Sequence, residues 1–248
     1  MVLRKNLHLV LFAAFVAACL SCSAAHADVR STISQATRGF KDVKLTCRVL
    51  YANQAELKKI GKDFPKSYEF KTTTVWYKSP DKMKMVGKLG MLKAAVVMNG
   101  DRKATFIPAL RYSKKENIEE EPHKRQTDLD IGIVTDSIWR DYIVVDAADD
   151  HGSDDAVYRI TFVRDNARQK KHVCWVDAKT LKLLKLEKYE SDGSLKSRYI
   201  YSKHSLINGL IWVPGRVDVY NQDAKLAGTT AYESISVNIG IPDSEFKI

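Results

Sequence analysis

Residue types capable of acid–base, nucleophilic or metal chemistry are sparse in this chain and poorly placed to converge. The densest cluster is His151-Gly152-Ser153-Asp154-Asp155, which holds an imidazole, a hydroxyl and two carboxylates. Such a set could ligate a cation or pair a nucleophile with a base. Its members are neighbours in one loop, however, and catalytic groups have to reach a substrate from separate elements. The cluster reads as a solvated loop. The six histidines stand at 8, 26, 123, 151, 172 and 204, with no pair at the spacing of metal ligands. The nucleophile elbow G-x-S-x-G, the H-E-x-x-H zinc helix, the P-loop and the dinucleotide glycine fingerprint are all absent. The sequence therefore nominates no catalytic residue, no metal site and no cofactor, and a secreted hydrolase would lack the motifs it should carry.

Residues 1–27 read as a secretory signal peptide. Arg4 and Lys5 supply the positive start, Leu7–Ala18 the apolar stretch, and Ala25-His26-Ala27 a cleavage site before Asp28. A rival signal overlaps it: Val16-Ala17-Ala18-Cys19 is similar to a lipobox, which would leave the protein anchored at Cys19. Under either reading, residues 28–248 form one exported domain. Of the four cysteines, Cys19 and Cys22 fall in the leader. Cys47 and Cys174 remain, either as a disulfide in an oxidising compartment or as two buried thiols.

The chain of 248 residues is 45% hydrophobic, 28% charged and low in Gly and Pro, which excludes a disordered or collagenous chain. Mean hydropathy of −0.29 excludes a polytopic membrane protein. Forty Lys and Arg stand against thirty Asp and Glu, and loss of the leader leaves the chain strongly basic. For an exported domain that balance points away from nucleic acid and toward anionic lipid head groups or acidic proteins.

Period-two alternation dominates the pattern of elements. One helix opens the domain, with Val29, Ile33, Ala36 and Phe40 on a single stripe. Leu45–Tyr51 then alternates with polar neighbours, followed by Lys71–Tyr77 and a strand holding Met83 and Met85. Ala94–Met98 and Ala104–Ile107 flank an Asn99-Gly100 turn. Further strands cover Tyr158–Phe162, His172–Val176, Leu181–Tyr189, Lys196–Tyr201, Leu210–Val213, Arg216–Tyr220 and Thr229–Asn238. About ten strands in sequential hairpins predict a large antiparallel sheet that has to curl or be covered. Interior helix is scarce: Glu56–Gly61 is short, and Asp128–Tyr142 has Ile131, Val134, Ile138 and Tyr142 at helical spacing despite Gly132. Two acidic loops, Glu116–Arg125 and Asp146–Asp155, flank this second segment.

In this order the residues resemble the bacterial outer-membrane lipoprotein-sorting and carrier proteins, the LolA-like family. The resemblance runs from the helix ending in Phe40 through Val75-Trp76-Tyr77-Lys78-Ser79-Pro80, Met83–Val86 and Phe106-Ile107-Pro108. It continues through Trp175-Val176-Asp177, Leu186–Tyr189, Ser191-Asp192-Gly193, Arg198-Tyr199, Asn208-Gly209 and Pro214 to Val237–Phe246. It implies a mainly β fold, an unclosed β-barrel with helices as a lid over an apolar cavity. It further implies a monomeric periplasmic carrier without catalysis or cofactor, whose partners are lipid acyl chains or lipoproteins and membrane-bound donor and acceptor proteins. A lipid- or lipoprotein-sensing protein on the same fold, signalling to a membrane partner, is the rival function. One departure stands out: members carry an arginine before the proline that ends the second strand, where it latches the lid, and this chain has Ser79.

Combined with the alternation, the resemblance assigns candidate lipid-binding residues. These are Leu45, Val49 and Tyr51 on the first strand, Val75 and Tyr77 on the second, and Met83 and Met85 on the third. Tyr158, Ile160 and Phe162, Val217 and Val219, and Ile235 and Val237 complete the set. The lid is assigned to Val29, Ile33 and Phe40 from the first helix and Ile131, Val134 and Ile138 from the second. The processed protein is expected to begin at Asp28, as read by intact mass; an acylated Cys19 would contradict this.

Overall fold

The computed structural model describes residues 29–121, 124–150, 156–163 and 170–248. Residues 1–27, read as a signal peptide, and the His151–Asp155 cluster lie outside them. Helix α1 spans 29–37 and buries Val29 and Ile33, but its third inward position is Thr37, whose hydroxyl donates to Ile33 O at 2.8 Å, and Ala36 faces solvent. The N-terminal wing follows: β1 (Asp42–Ala52), β2 (Thr72–Lys78), β3 (Lys82–Leu89), β4 (Leu92–Asn99), β5 (Arg102–Ile107) and β6 (Tyr112–Asn117). Between β1 and β2 lie α2 (Gln54–Ile60) and α3 (Phe64–Ser67); the Asn53 side chain caps α2 by accepting from the N–H groups of Ala55 and Glu56. The second half holds α4 (Ser137–Asp141), β7 (Ile143–Asp150), β8 (Val157–Val163), β9 (Lys171–Asp177), β10 (Leu183–Tyr189), β11 (Leu195–Ser202), β14 (Arg216–Asn221) and β15 (Leu226–Val237). A small separate hairpin pairs β12 (Ser205–Ile207) with β13 (Ile211–Val213).

Thirteen strands form one antiparallel sheet in the order β6-β5-β4-β3-β2-β1-β15-β14-β11-β10-β9-β8-β7. Its centre is the pairing of β1 with β15, in register from Val43↔Val237 to Ala52↔Gly228. The outer strands β6 and β7 do not pair with each other, so the barrel stays open. Laid flat, such a sheet would measure roughly 58 Å across at ~4.8 Å per strand. The chain leaves β6 at one edge and enters β7 at the other, so residues 118–142 have to cross the full width. The segment is long enough for that span at ~3.3 Å per extended residue, and its buried side chains pack against the inner face of both wings of a curled sheet. Bulges supply the curl. They interrupt the register of β1 with β15, β14 with β15, β10 with both neighbours, and β7 with β8, whereas the ladders of β1–β6 run unbroken.

Several sequence expectations are corrected here. The described residues hold fifteen strands where about ten were expected. β6 covers Tyr112–Lys115, unassigned in the sequence reading, and the first two residues of the first acidic loop, because its exposed polar side chains lack the alternation that marks a half-buried strand; β7 takes in the start of the second acidic loop, Asp146–Asp150. The turn between β4 and β5 is Gly100-Asp101, with Asn99 still paired to Arg102; Gly100, at φ +60°, takes the left-handed position. The continuous helix expected over Asp128–Tyr142 is a 3-10 turn at Asp128–Ile131, a break at Gly132, and α4. Thr127 and Asp130 cap each other's backbone at the start of the turn, and Gly132, at φ +79°, ends it.

Between these two pieces the strap of residues 118–142 is tied to itself by Asp128, which is 1% exposed. Its carboxylate accepts hydrogen bonds from the hydroxyls of Thr135 and Ser137. Burial pushes its pKa up to about 6, against the downward pull of both hydroxyls and of the Arg140 charge.

Two predictions follow from the strap. A methyl group at Gly132 would sit 2.6 Å from Pro214 Cγ and 2.9 Å from Tyr201 Cε1, at a positive φ. Gly132→Ala should therefore lower stability by about 2–4 kcal/mol in urea unfolding, whereas Gly193→Ala, in open space at φ +84°, should cost only about 1 kcal/mol; equal losses would contradict the packing. For Asp128, a folded pKa of about 6 against 3.8 means the folded state holds the extra proton between those values. Stability from this group is fully present below pH 3.8 and is lost as pH rises through 6. Asp128→Asn should thus gain about 3 kcal/mol relative to the parent between pH 4 and 7, and a pH-independent difference would contradict the assignment.

Candidate functional site

The inner face of the sheet and the strap lying on it bring nearly all of the sequence-nominated residues together. On the N-terminal wing, Leu45, Val75, Tyr77, Met83 and Val237 are buried in one cluster with Phe40, Ile118, Ile131 and Ile133, and Met85 and Ile235 pack against its edge. On the C-terminal wing, Ile160, Phe162, Val217 and Val219 share a second cluster with Val29, Ile33, Leu129, Val134 and Ile138, flanked by Val49 and Tyr158. Tyr232 touches both clusters. Cover and sheet also meet ring to ring: Phe40, just after α1, stacks on Tyr77 at 6.1 Å, and Tyr142 of the strap meets Phe162 edge-on at 4.7 Å.

Tyr51 is the exception. It is 43% exposed, because Leu50 forms a bulge between Val49↔Thr230 and Tyr51↔Thr229. One extra residue turns the next side chain to the opposite face.

Sequence reading missed the residues that anchor the cover. Arg140 on α4 donates from Nη2 to Pro80 O at 2.8 Å and pairs with Asp141, so the strap holds the turn between β2 and β3. Ser79 in that turn gives its backbone N–H to Lys41 O. The contact between strap and turn is thus made by an arginine of the strap. Arg30 of α1 reaches Asp136 at 3.2 Å, joining the two covering elements. Ile118 and Ile133, each fully buried, also escaped notice because they stand outside any periodic run.

The backbone of the strap makes a further distinction. Backbone hydrogen bonds of 124–142 close within the strap, as in Asp130 N to Thr127 O, Ile133 N to Asp128 O and Trp139 N to Asp136 O. At its root the strap is stitched to the β4–β5 turn, by Ile118 N to Asp101 O at 2.7 Å. The cover therefore rests on the sheet through apolar side chains and a few polar anchors.

Other chemistry is limited. Cys47 and Cys174 are free thiols in different parts of the sheet, and burial pushes both up to about 12, which keeps them protonated. Among the described residues no three His, Cys, Asp or Glu side chains gather as metal ligands. A polar pocket of about 110 Å³ lies beside the strap between Asp101, Arg125 and Asp141. Larger open grooves, of about 710 and 530 Å³, lie on the outer face of the N-terminal wing around Trp76 and Val86.

Neither a family model nor a curated protein matches this sequence. Solved structures do match in fold. A LolA superfamily protein from Nitrosomonas europaea superposes with a TM-score of 0.59 at 14% identity, over 89% of this chain and 96% of that one. A domain of the outer membrane lipoprotein-sorting kind from Vibrio parahaemolyticus gives 0.58 at 13% identity, over 89% and 94%. A DUF1329 family protein from Desulfovibrio piger gives 0.53 at 13% identity, over 91% and 97%. The open thirteen-stranded sheet with its crossing strap is therefore a LolA-like fold.

Proposed function

We propose that this protein is an exported carrier that takes acyl chains of lipoproteins or other lipids between the inner face of its sheet and the strap, and shuttles them through the periplasm toward the outer membrane. The observation that supports this most is the strap itself. Its backbone bonds are internal, so it can lift as a unit without breaking a strand ladder. Lifting would expose a continuous apolar face built by Leu45, Tyr77, Met83, Ile160, Phe162 and Val219. An acyl chain entering that space replaces one apolar contact with another. Each CH₂ kept from water is worth ~0.8 kcal/mol, and a chain leaving a bilayer for an apolar interior gives up and regains similar amounts. Loading and unloading then stay near balance, as a carrier needs. Flexible Met83 and Met85 can re-pack around chains of different shape. The likeness to lipoprotein-sorting structures supports the same reading, and the roles of membrane-bound donor and acceptor belong to this proposal.

Native mass spectrometry of protein purified after export should show a lipid adduct, and the protein should accelerate lipid transfer between vesicles. Arg140→Ala, which removes the anchor to Pro80 O, should load faster while lowering stability by about 1 kcal/mol. Bound lipid without transfer would favour a sensor on this fold. Absence of both adduct and transfer would overturn the carrier reading.

A further inference from the structure

Apart from the inner face, one end of the N-terminal wing carries an unusual surface. The antiparallel register brings the turns β3–β4 and β5–β6 to the same end of the sheet, separated by a single strand spacing. At the tip of the first, Met91 is 102% exposed and Leu89 39%. Gly90, at φ +59° with nothing within 4 Å of a Cβ, lets the chain reverse in two residues and hold Met91 clear of the fold. Lys88 and Lys93 flank this tip and are exposed. The second turn adds Leu110 at 60% exposure, and Tyr112 and Arg111 beside it. From Lys71 to Gly100 the only acidic residue is Asp81, and it lies in the β2–β3 turn at the opposite end. The 710 Å³ outer groove opens at this tip, between Lys71, Lys88 and Lys93.

We propose that this end of the wing docks the protein on an anionic lipid bilayer, with Met91, Leu89 and Leu110 entering the interface and Lys88, Lys93 and Arg111 meeting lipid phosphates. Convex apolar tips ringed by cations suit a soft planar phase, which accepts a protrusion without a matching pocket. Basic side chains next to such a surface are attracted by its negative potential over about one Debye length. The surface is separate from the strap-covered face, so docking and lipid loading can succeed or fail independently.

The test is flotation of the exported, processed protein with vesicles of phosphatidylcholine and phosphatidylglycerol in equal parts, against phosphatidylcholine alone. The protein should float with the anionic vesicles only, less so as salt rises. Met91→Asp and Lys88→Glu should each weaken partitioning by about tenfold, while Arg102→Glu, the same charge change at the far end of β5, should leave it within about twofold. Melting curves of these exposed-site variants should match the parent, and Met91→Trp fluorescence should shift to the blue with anionic vesicles. Failure of the parent to float, equal flotation with neutral vesicles, or an equal loss in Arg102→Glu would overturn the proposal.

Discussion

The architecture depends on the pairing of β1 with β15. By placing the first and last long strands side by side, it turns the chain into two wings that grow outward in opposite directions. Everything else at the inner face follows from that placement. The edges β6 and β7 end up at opposite ends of the strand order, the segment joining them crosses the inner face, and the sheet curls around it. The bulges that produce the curl lie at the centre and in the C-terminal wing, where Ser234 adopts φ +51° to absorb the extra residue in β15.

A connection forced to run over an apolar face has to be apolar on its underside, and residues 118–142 meet that demand with Ile118, Leu129, Ile131, Ile133, Val134 and Ile138. It also has to satisfy its own backbone away from any ladder. Asp128, Thr127 and Asp130 do so locally, and a buried carboxylate is the cost. An element folded upon itself and held to its neighbour mainly by apolar contact has the construction of a cover. A ladder strand in the same place would be part of the wall.

Much of this could be read from the residues, for identifiable reasons. Strands with one buried face announce themselves by alternation, so Leu45, Val75, Tyr77, Met83, Ile160 and Val219 were assigned inward and are buried. The edge strand β6 has almost no buried face to alternate against, so most of it went unassigned. A bulge leaves no local mark in composition, so Tyr51 was placed on the wrong side. Gly132 was treated as a tolerated interruption because Ile131, Val134 and Ile138 keep helical spacing. The Thr127-x-x-Asp130 cap was available as a contrary signal, but the crowding by Pro214 and Tyr201 that requires a glycine comes from residues some seventy to eighty positions away. Arg140 could not be tied to Pro80 for the same reason.

The central claim is that the strap is a movable cover on a fixed sheet. Amide hydrogen exchange across residues 124–142, compared with β1 and β15, tests it most directly. The account predicts that strap amides exchange well before those of the central strands in lipid-free protein, and that loading with lipid slows them. Protection of the strap equal to that of β1 and β15, and unchanged by lipid, would mean that the segment is a permanent part of the core, and would contradict the account.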